Sequence, residues 1–218
     1  MRLPFTVDAF LDVFAAYNQR LWVVALGLWL VSAYAVFVLA TSRSSNPRFV
    51  SALLAVHWAW SGLAYHAGYF SSINRAAWIF SGLFLAQAGL LIWHGLVRQQ
   101  LRIRHDPSFW RVCSLTLLAY ALVYPALGYL EGLSFPRMPT FGVPCPTTIL
   151  TLGFMLSMDE FLPLSVMVVP VVWSIIGGSA AFLLGVPADW MLFVAGGLLV
   201  IYRFVPSGSR MVTTVPPD

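Results

Sequence analysis

The sequence has few charged residues and no lysine. Only 9% of its 218 residues are charged, and every one of the 12 basic residues is an arginine. Soluble domains carry about 25% charged residues, so this chain could not cover a water-facing surface. The missing lysine excludes a retinal Schiff base, and with it the seven-helix microbial rhodopsins. The arginines are dispersed instead of forming one basic stripe, which argues against nucleic acid as a partner.

Cysteines and targeting signals are equally scarce. The two cysteines, Cys113 and Cys145, lie in different apolar segments and give no disulfide framework. The first 19 residues contain Asp8 and Asp12 and lack a basic region before a short apolar run. We therefore expect the first apolar run to be retained as a span and not cleaved as a signal peptide.

Long apolar runs take up most of the chain. Hydrophobic residues make up 60% of the sequence and its mean hydropathy is +0.82. Because a spanning helix needs roughly 20 apolar residues, we predict an all-α, polytopic transmembrane bundle over 21–204 with about seven spans in the lipid bilayer. An interfacial amphipathic helix over 1–20, capped by Thr6, precedes the bundle, and a polar cytoplasmic tail over 205–218 follows it. The predicted spans are 21–41, 50–70, 77–97, 112–132, 146–158, 162–185 and 188–204.

The arginines predict the orientation of the bundle. With the N-terminus outside, eight arginines fall on the cytoplasmic side and four on the outer side. An excess of arginine marks the cytoplasmic side, so an outside N-terminus and a cytoplasmic C-terminus are favoured. The cytoplasmic set is Arg43, Arg48, Arg98, Arg102, Arg104, Arg111, Arg203 and Arg210, and the outer set is Arg2, Arg20, Arg75 and Arg137.

The fifth segment is short and begins with Pro144-Cys145-Pro146. Proline suits the first turn of a helix, where its missing N–H needs no partner. From Pro146 to Met158 the helix would be only about 20 Å long, against about 30 Å of hydrocarbon. The Pro- and Gly-rich stretch before it must then cross the rest of the membrane, packed in protein or facing a cavity. Broken segments of this kind are typical of transporter binding sites.

Several polar side chains share the predicted outer depth of the membrane. Ionisable residues within spans are costly and are usually functional or paired. Glu131 could instead form an ion pair with Arg75 or Arg137 at the interface. The candidate substrate or ion site comprises His66, Asn74, Tyr129, Glu131, Cys145 and Thr148.

Cys145 and His66 are the candidate metal ligands of this site. A thiol at a helix N-terminus is stabilised as a thiolate, and soft ions such as Cu(I), Hg(II) or Zn(II) prefer thiolate and imidazole donors. The alternative is a turn shaped by proline around an inert cysteine. No cofactor is required by the sequence, and a soft metal ion is the one candidate.

Small residues mark close helix contacts in the last two segments. Gly177 and Ala181 have small-xxx-small spacing, and Gly196-Gly197 lie in the next segment. This pattern predicts tight packing within the chain, with a homodimer through the Gly- and Ala-rich faces as the alternative.

Taken together, five sequence stretches resemble an uncharacterised family of small bacterial multi-pass membrane proteins, grouped as a domain of unknown function. Pro-Cys-Pro-Thr-Thr at 144–148 is the most specific of them, and the resemblance covers nearly the whole chain. The stretches are Tyr65-His66, Ile73-Asn74, Pro139-Thr140-Phe141-Gly142, Pro144-Cys145-Pro146-Thr147-Thr148 and Trp173 to Leu184. The resemblance implies a location in the bacterial inner membrane and no particular activity.

Two classes of function follow from the residues. The first is a channel or transporter for a small solute or a soft metal ion, with its site around Cys145 and His66. The second is a non-catalytic membrane subunit, an assembly factor or a sensor. A membrane enzyme is the third option and is not the expectation. A metal-dependent hydrolase needs about three protein ligands plus an open position, and the one histidine, one cysteine and one glutamate at the outer depth only just reach that count.

Overall fold

Seven helices form the computed structural model, which describes residues 4–42, 45–159 and 161–204. No strand is present in these ranges, so the all-α prediction is confirmed. Each predicted apolar segment corresponds to one helical stretch. The ends agree to within a few residues, except at the start of the first, when the π-helical continuations of α2 (Ser61–Tyr69) and α3 (Ile92–Val97) are included. The helices are α1 (Val7–Thr41), α2 (Pro47–Trp60), α3 (Ala77–Leu91), α4 (Phe109–Leu130), α5 (Pro144–Leu156), α6 (Leu164–Leu184) and α7 (Met191–Phe204).

Five of the helical stretches are long and apolar enough to cross a membrane, which makes the chain a membrane protein. The two helices outside this set are α2, which carries His57 and continues past Trp60 as a π-helix, and α5, which has only 13 residues. The spanning stretches are Val7–Thr41, Ala77–Val97, Phe109–Leu130, Leu164–Leu184 and Pro187–Phe204, the last including the short 3-10 helix Pro187–Trp190.

Helix α1 is longer than predicted. It runs without a break for 35 residues, and the predicted boundary between an interfacial helix and the first span at residue 20 is not a helix end. No proline or glycine lies between Phe5 and Leu26 to interrupt it. Thr6 caps the helix as predicted, its side-chain oxygen accepting a hydrogen bond from the Ala9 N–H. The predicted tail over 205–218 lies outside the described residues.

The helices alternate in direction between two ends of the bundle. The N-terminal end holds the start of α1 and the loops 73–76, 131–143 and 185–190. There Arg137 forms ion pairs with Asp8 and Asp12, at 3.0 and 3.1 Å. At the opposite end, the Arg111 guanidinium of α4 donates to the Leu39 carbonyl of α1 at 2.9 Å. No observation assigns either end to the cytoplasm, so the predicted orientation stays a prediction.

The loop between α3 and α4 is fastened to the opposite end of the bundle. Ile103 and Met158 form an isolated antiparallel bridge, and the Tyr202 hydroxyl of α7 donates to the Met158 carbonyl. Within the loop, the Arg104 guanidinium donates two hydrogen bonds to Asp106. These hydrogen bonds are the main reason that the pKa of the Asp106 carboxyl is lowered.

Helix α5 lies at the centre of the bundle. Twelve of its 13 residues are buried, and Cys145 is half-buried. Gly153 allows α4 to approach closely, because a Cβ there would lie 2.9 Å from the Leu118 side chain and 3.2 Å from its backbone nitrogen. The Ser114 hydroxyl also donates to the Gly153 carbonyl at 2.7 Å. The short, Pro-broken fifth segment is therefore the core helix of the fold.

The non-helical segment over 134–143, which leads into α5, is held by Asn18 from α1. Its side-chain amide donates to the Pro136 and Met138 carbonyls, both at 2.7 Å. Its oxygen accepts from the Thr140 hydroxyl at 2.6 Å. These bonds supply donors to backbone carbonyls that lipid could not hydrogen-bond. They agree with the prediction that this segment is packed in protein.

The last turn of the same segment is held by α1 and α2 together. The Tyr17 hydroxyl donates to the Phe141 carbonyl at 3.1 Å and accepts from the Trp60 indole N–H at 2.8 Å. The Ser61 hydroxyl donates to the Gly142 carbonyl at 2.7 Å. Gly142 has a φ of +82°, and a Cβ there would lie 2.5 Å from the Tyr17 oxygen. Glycine is therefore required at this position.

The glycines of the last two spans pack α6 against α7 within the chain. A Cβ on Gly178 would lie 2.7 Å from the Phe193 ring, and a Cβ on Gly196 would overlap the Ser174 hydroxyl. Gly177 likewise faces Leu192, at 2.8 Å from an added Cβ. These glycines serve the intramolecular packing that was predicted, whereas an added Cβ on Gly197 would meet nothing within 4 Å. The homodimer through the Gly- and Ala-rich faces stays a prediction.

Candidate functional site

A cavity of about 510 Å³ lies at the N-terminal end of the bundle, between α1, the π-helix Ser61–Tyr69 that follows α2, α3, α4, the start of α5 and α6. Its size is typical of sites for small organic molecules. Three of the six predicted site residues line it, namely His66, Asn74 and Cys145. Most of the remaining wall is apolar, and its aromatic members are Phe5, Phe10, Phe14, Tyr65, Phe70, Phe80, Tyr124 and Trp173.

His66 is positioned by a π-helix, Ser61–Tyr69, that continues α2. π-Helical turns are rare and are often found at functional sites. Gly62 lets this stretch approach α3, since a Cβ there would lie 3.2 Å from both the Phe84 Cβ and the Ser81 carbonyl oxygen. The close contact places His66 next to the rings of α3 and α6.

The imidazole of His66 is buried without a hydrogen-bond partner. Its relative exposure is 1%, and neither ring nitrogen has a partner. Its ring centroid lies 4.7 Å from that of Phe84, 5.1 Å from Trp173 and 5.6 Å from Phe80. Buried polar atoms are nearly always satisfied, so two open nitrogens on one buried side chain call for an explanation. A ligand in the cavity would supply the missing partner.

Trp173 of α6 is a second buried group in the cavity wall with an open polar atom. Its indole Nε1 has no partner, and its relative exposure is 6%. Gly177, one turn later, keeps space beside this nitrogen, because a Cβ there would lie 3.3 Å from it. Trp173 was not among the predicted site residues. Its position one helical turn before a glycine, in a span with few aromatic residues, was the available signal.

Asp189 is a cavity residue that the sequence analysis missed. It lies in the 3-10 helix before α7 and is 6% exposed. Its carboxylate accepts a hydrogen bond from the Tyr124 hydroxyl, and within the described chain it has no ion pair. It is the acidic residue that opens the last apolar run, and a carboxylate entering a span is itself a signal of function.

Cys145 occupies the first turn of α5, as predicted, but its surroundings differ from the expectation. Its thiol lies close to the Asp189 carboxylate, which was not expected, and lines the cavity. Cys145 and His66 line one cavity. Among the described residues, no group of three or more His, Cys, Asp or Glu side chains could hold a metal ion.

Tyr129 and Thr148 do not belong to the cavity. Tyr129 is 68% exposed, because at 100° per residue it points about 140° away from Tyr124, which does line the cavity. The Thr148 hydroxyl donates to the Pro144 carbonyl at 2.9 Å inside α5. Thr148 was expected to satisfy free N–H groups of the helix, and its hydroxyl instead acts as a donor.

Glu131 also lies outside the cavity. It follows the last residue of α4 and is exposed at the surface. The predicted alternative of an ion pair with Arg137 is wrong as well, since Arg137 pairs with Asp8 and Asp12. The carboxylate that does line the cavity is that of Asp189.

Together these features define the class of protein, a helical membrane protein with an aromatic-walled cavity at one end of the bundle. The chain belongs to a family of unknown function, DUF6064, whose family model matches residues 7–211. This finding agrees with the predicted membership of an uncharacterised family. No curated protein and no solved structure matches the chain.

Proposed function

We propose that this protein binds a small, mainly apolar organic molecule in the cavity and carries it within the membrane. The observation that supports the proposal is a 510 Å³ cavity with an aromatic wall and a buried His66 whose ring nitrogens have no partner. A cavity of this composition favours an apolar ligand body with few polar atoms. No covalent step is part of the proposal.

A carrier is favoured over an open channel. In the part of the chain that the structure describes, helix α5 is buried in the middle of the bundle, where an open channel would have to pass. The cavity also borders Pro139, Val143 and Pro144, where the chain passes from irregular backbone into α5. Broken helices beside a binding site are the usual moving parts of secondary transporters. A sensor or a subunit of a membrane complex could use the same cavity without transport.

The test is the binding of radiolabelled naphthalene to the protein in lipid nanodiscs, corrected for uptake by empty nanodiscs. Ala180→Phe adds a ring inside the cavity wall. Ala86→Phe makes the same change at an exposed position on α3 and is the matched control. We expect saturable binding to the wild type and to Ala86→Phe, and at least a tenfold loss in Ala180→Phe. Binding that is absent, or unchanged in Ala180→Phe, would contradict the proposal.

A soft metal ion is the second candidate ligand, and it is favoured by one observation. Cys145 and His66, the predicted ligands, line the same cavity, and two donors suffice for Cu(I) or Hg(II). The test is metal analysis of purified wild-type protein beside Cys145→Ser. A stoichiometric soft metal that is lost in the variant would support a metal ligand in place of an organic one.

A further inference from the structure

We infer that the ligand carries a neutral oxygen group, such as a hydroxyl or carbonyl, held by His66 and Trp173 together. This inference rests on the proposed function and names the class of molecule that the cavity takes. It depends on two buried side chains, 1% and 6% exposed, whose polar atoms have no partner in the described chain.

The two side chains offer complementary hydrogen-bonding groups at one point of the cavity wall. An indole nitrogen is a donor only, and a neutral imidazole has one donor and one acceptor. The ring centroids of His66 and Trp173 are 5.1 Å apart and the rings are nearly perpendicular, at 75°. A ligand oxygen beside them can accept from the indole N–H and the imidazole N–H. A hydroxyl can in addition donate to the remaining imidazole nitrogen.

Asp189 disfavours an anionic head group. Its carboxylate lies in the same cavity wall and has no cation beside it in the described chain. A ligand carboxylate in this apolar space would be repelled, since charges interact more strongly at low dielectric. A cationic head group would leave the donors of Trp173 and His66 unsatisfied. A neutral oxygen satisfies the open atoms without adding a charge.

The body of the ligand would lie against rings and small residues. Phe5, Phe10 and Phe14 line one side of the cavity, and Gly177 and Ala180 of α6 line another. Ser179 lies between Gly177 and Ala180 and adds a hydroxyl to that wall, and Asn74 lines the cavity as well. Because the wall is otherwise mostly apolar, the expected ligand is a mainly apolar molecule with an oxygen function at one end.

The experiment compares four probes that share one ring system, namely naphthalene, 1-naphthol, 1-naphthoic acid and 1-naphthylmethylamine, on the protein in nanodiscs. We expect 1-naphthol to bind about three- to tenfold tighter than naphthalene, the effect of one or two net hydrogen bonds. His66→Phe and Trp173→Phe should each lower the affinity for 1-naphthol to that for naphthalene. The affinity for naphthalene itself should stay within about twofold of the wild-type value, since an apolar ring remains. His94→Phe and the exposed Trp78→Phe are matched controls that should change neither.

The outcomes separate the inference from the proposed function. If naphthalene binds saturably and 1-naphthol binds no tighter, the neutral-oxygen class is wrong while the binding cavity stands. If no probe binds, both fail. If 1-naphthylmethylamine binds tightest and loses its advantage in Asp189→Asn, the cavity takes organic cations and the inference is overturned. Naphthalene binding by His66→Phe or Trp173→Phe also reports that the variant is folded.

Discussion

At the scale of single residues, a few buried polar side chains satisfy backbone that is not helical. Asn18 makes three hydrogen bonds to the segment before α5, two of them to carbonyls. It is fully buried, whereas its neighbour Gln19 in the same helix is exposed. Within the hydrocarbon region of a membrane there is no water that could donate a hydrogen bond to such carbonyls. Asn18 is therefore a structural residue on which the geometry of the cavity wall depends.

Asn18→Leu should lower the free energy of unfolding by about 2–4 kcal/mol, because it leaves two partly buried carbonyls and the Thr140 hydroxyl without partners. Gln19→Leu removes an exposed amide from the next position of the same helix and should have little effect. The free energies can be compared by titration with SDS in mixed micelles. Equal stability of the two variants would show that Asn18 does not hold the segment.

Gly142 and Gly132 give a second matched comparison at this scale. Both have a positive φ, at +82° and +89°, so alanine should cost about 1–2 kcal/mol of backbone strain at either position. Only at Gly142 would the new Cβ also collide, at 2.5 Å from the Tyr17 oxygen and 2.7 Å from Trp60. Gly142→Ala should therefore be the less stable by a further 1–3 kcal/mol, roughly the cost of overpacking. Similar melting temperatures would contradict this view of the segment.

At the scale of helices, α6 is shaped by a proline that a neighbouring helix compensates. Pro170 has no N–H, so the Val166 carbonyl one turn earlier lacks its usual helical donor. The Gln87 side chain of α3 donates to this carbonyl at 2.9 Å, and Gln87 is fully buried. A side chain of α3 thus replaces the backbone hydrogen bond that α6, the helix that carries Trp173, lacks at Pro170.

A double-mutant cycle tests this compensation. Gln87→Leu should cost about 1–3 kcal/mol in the wild-type background, because the Val166 carbonyl is then unsatisfied. In a Pro170→Ala background the new backbone N–H can donate to Val166, so Gln87→Leu should cost clearly less. The coupling free energy from SDS titration should be about 1 kcal/mol or more. Additive free energies would mean that Gln87 stabilises the protein by something other than its hydrogen bond to the Val166 carbonyl.

The helices themselves could be predicted from the sequence because each is a long apolar run between polar breaks. Two features could not. The sequence of α1 mixes acids with aromatics over its first turns, which suggested a separate interfacial helix, but nothing in it breaks the helix before Thr41. The π-helical stretches after α2 and α3 follow from packing against neighbours, as at Gly62, and have no sequence period of their own.

The depth of the site residues along their spans could be predicted from the sequence, but the direction in which each side chain points could not. Counting along spans placed His66, Asn74 and Cys145 at one level, and all three line the cavity. The same count placed Tyr129 there, although it faces away from the bundle. Packing decides which face of a helix turns toward the bundle. When a helix is apolar on every face, its sequence does not show which face that is. Asp189 was missed because it lies at the edge of a predicted span, next to the loop.

At the scale of the whole molecule, the predicted orientation depends on the eight-to-four distribution of arginines. A reporter that is active only in the cytoplasm should be active when fused after Phe204 and inactive when inserted into the loop 131–143, because the two positions lie at opposite ends of the bundle. A reporter that requires the outer side should give the reverse pattern. If the reporters at both positions show activity on the same side of the membrane, the prediction of seven spans is contradicted.

Cys145 offers a direct test of the central claim, that the cavity binds a small apolar molecule. The chain has two cysteines, so in Cys113→Ser protein the reaction of Cys145 with N-ethylmaleimide, an uncharged reagent, reports access to the cavity. We predict that 1-naphthol slows this reaction saturably in nanodiscs, and that Ala180→Phe slows it without any probe whereas Ala86→Phe does not. A rate that neither 1-naphthol nor Ala180→Phe changes would contradict the account.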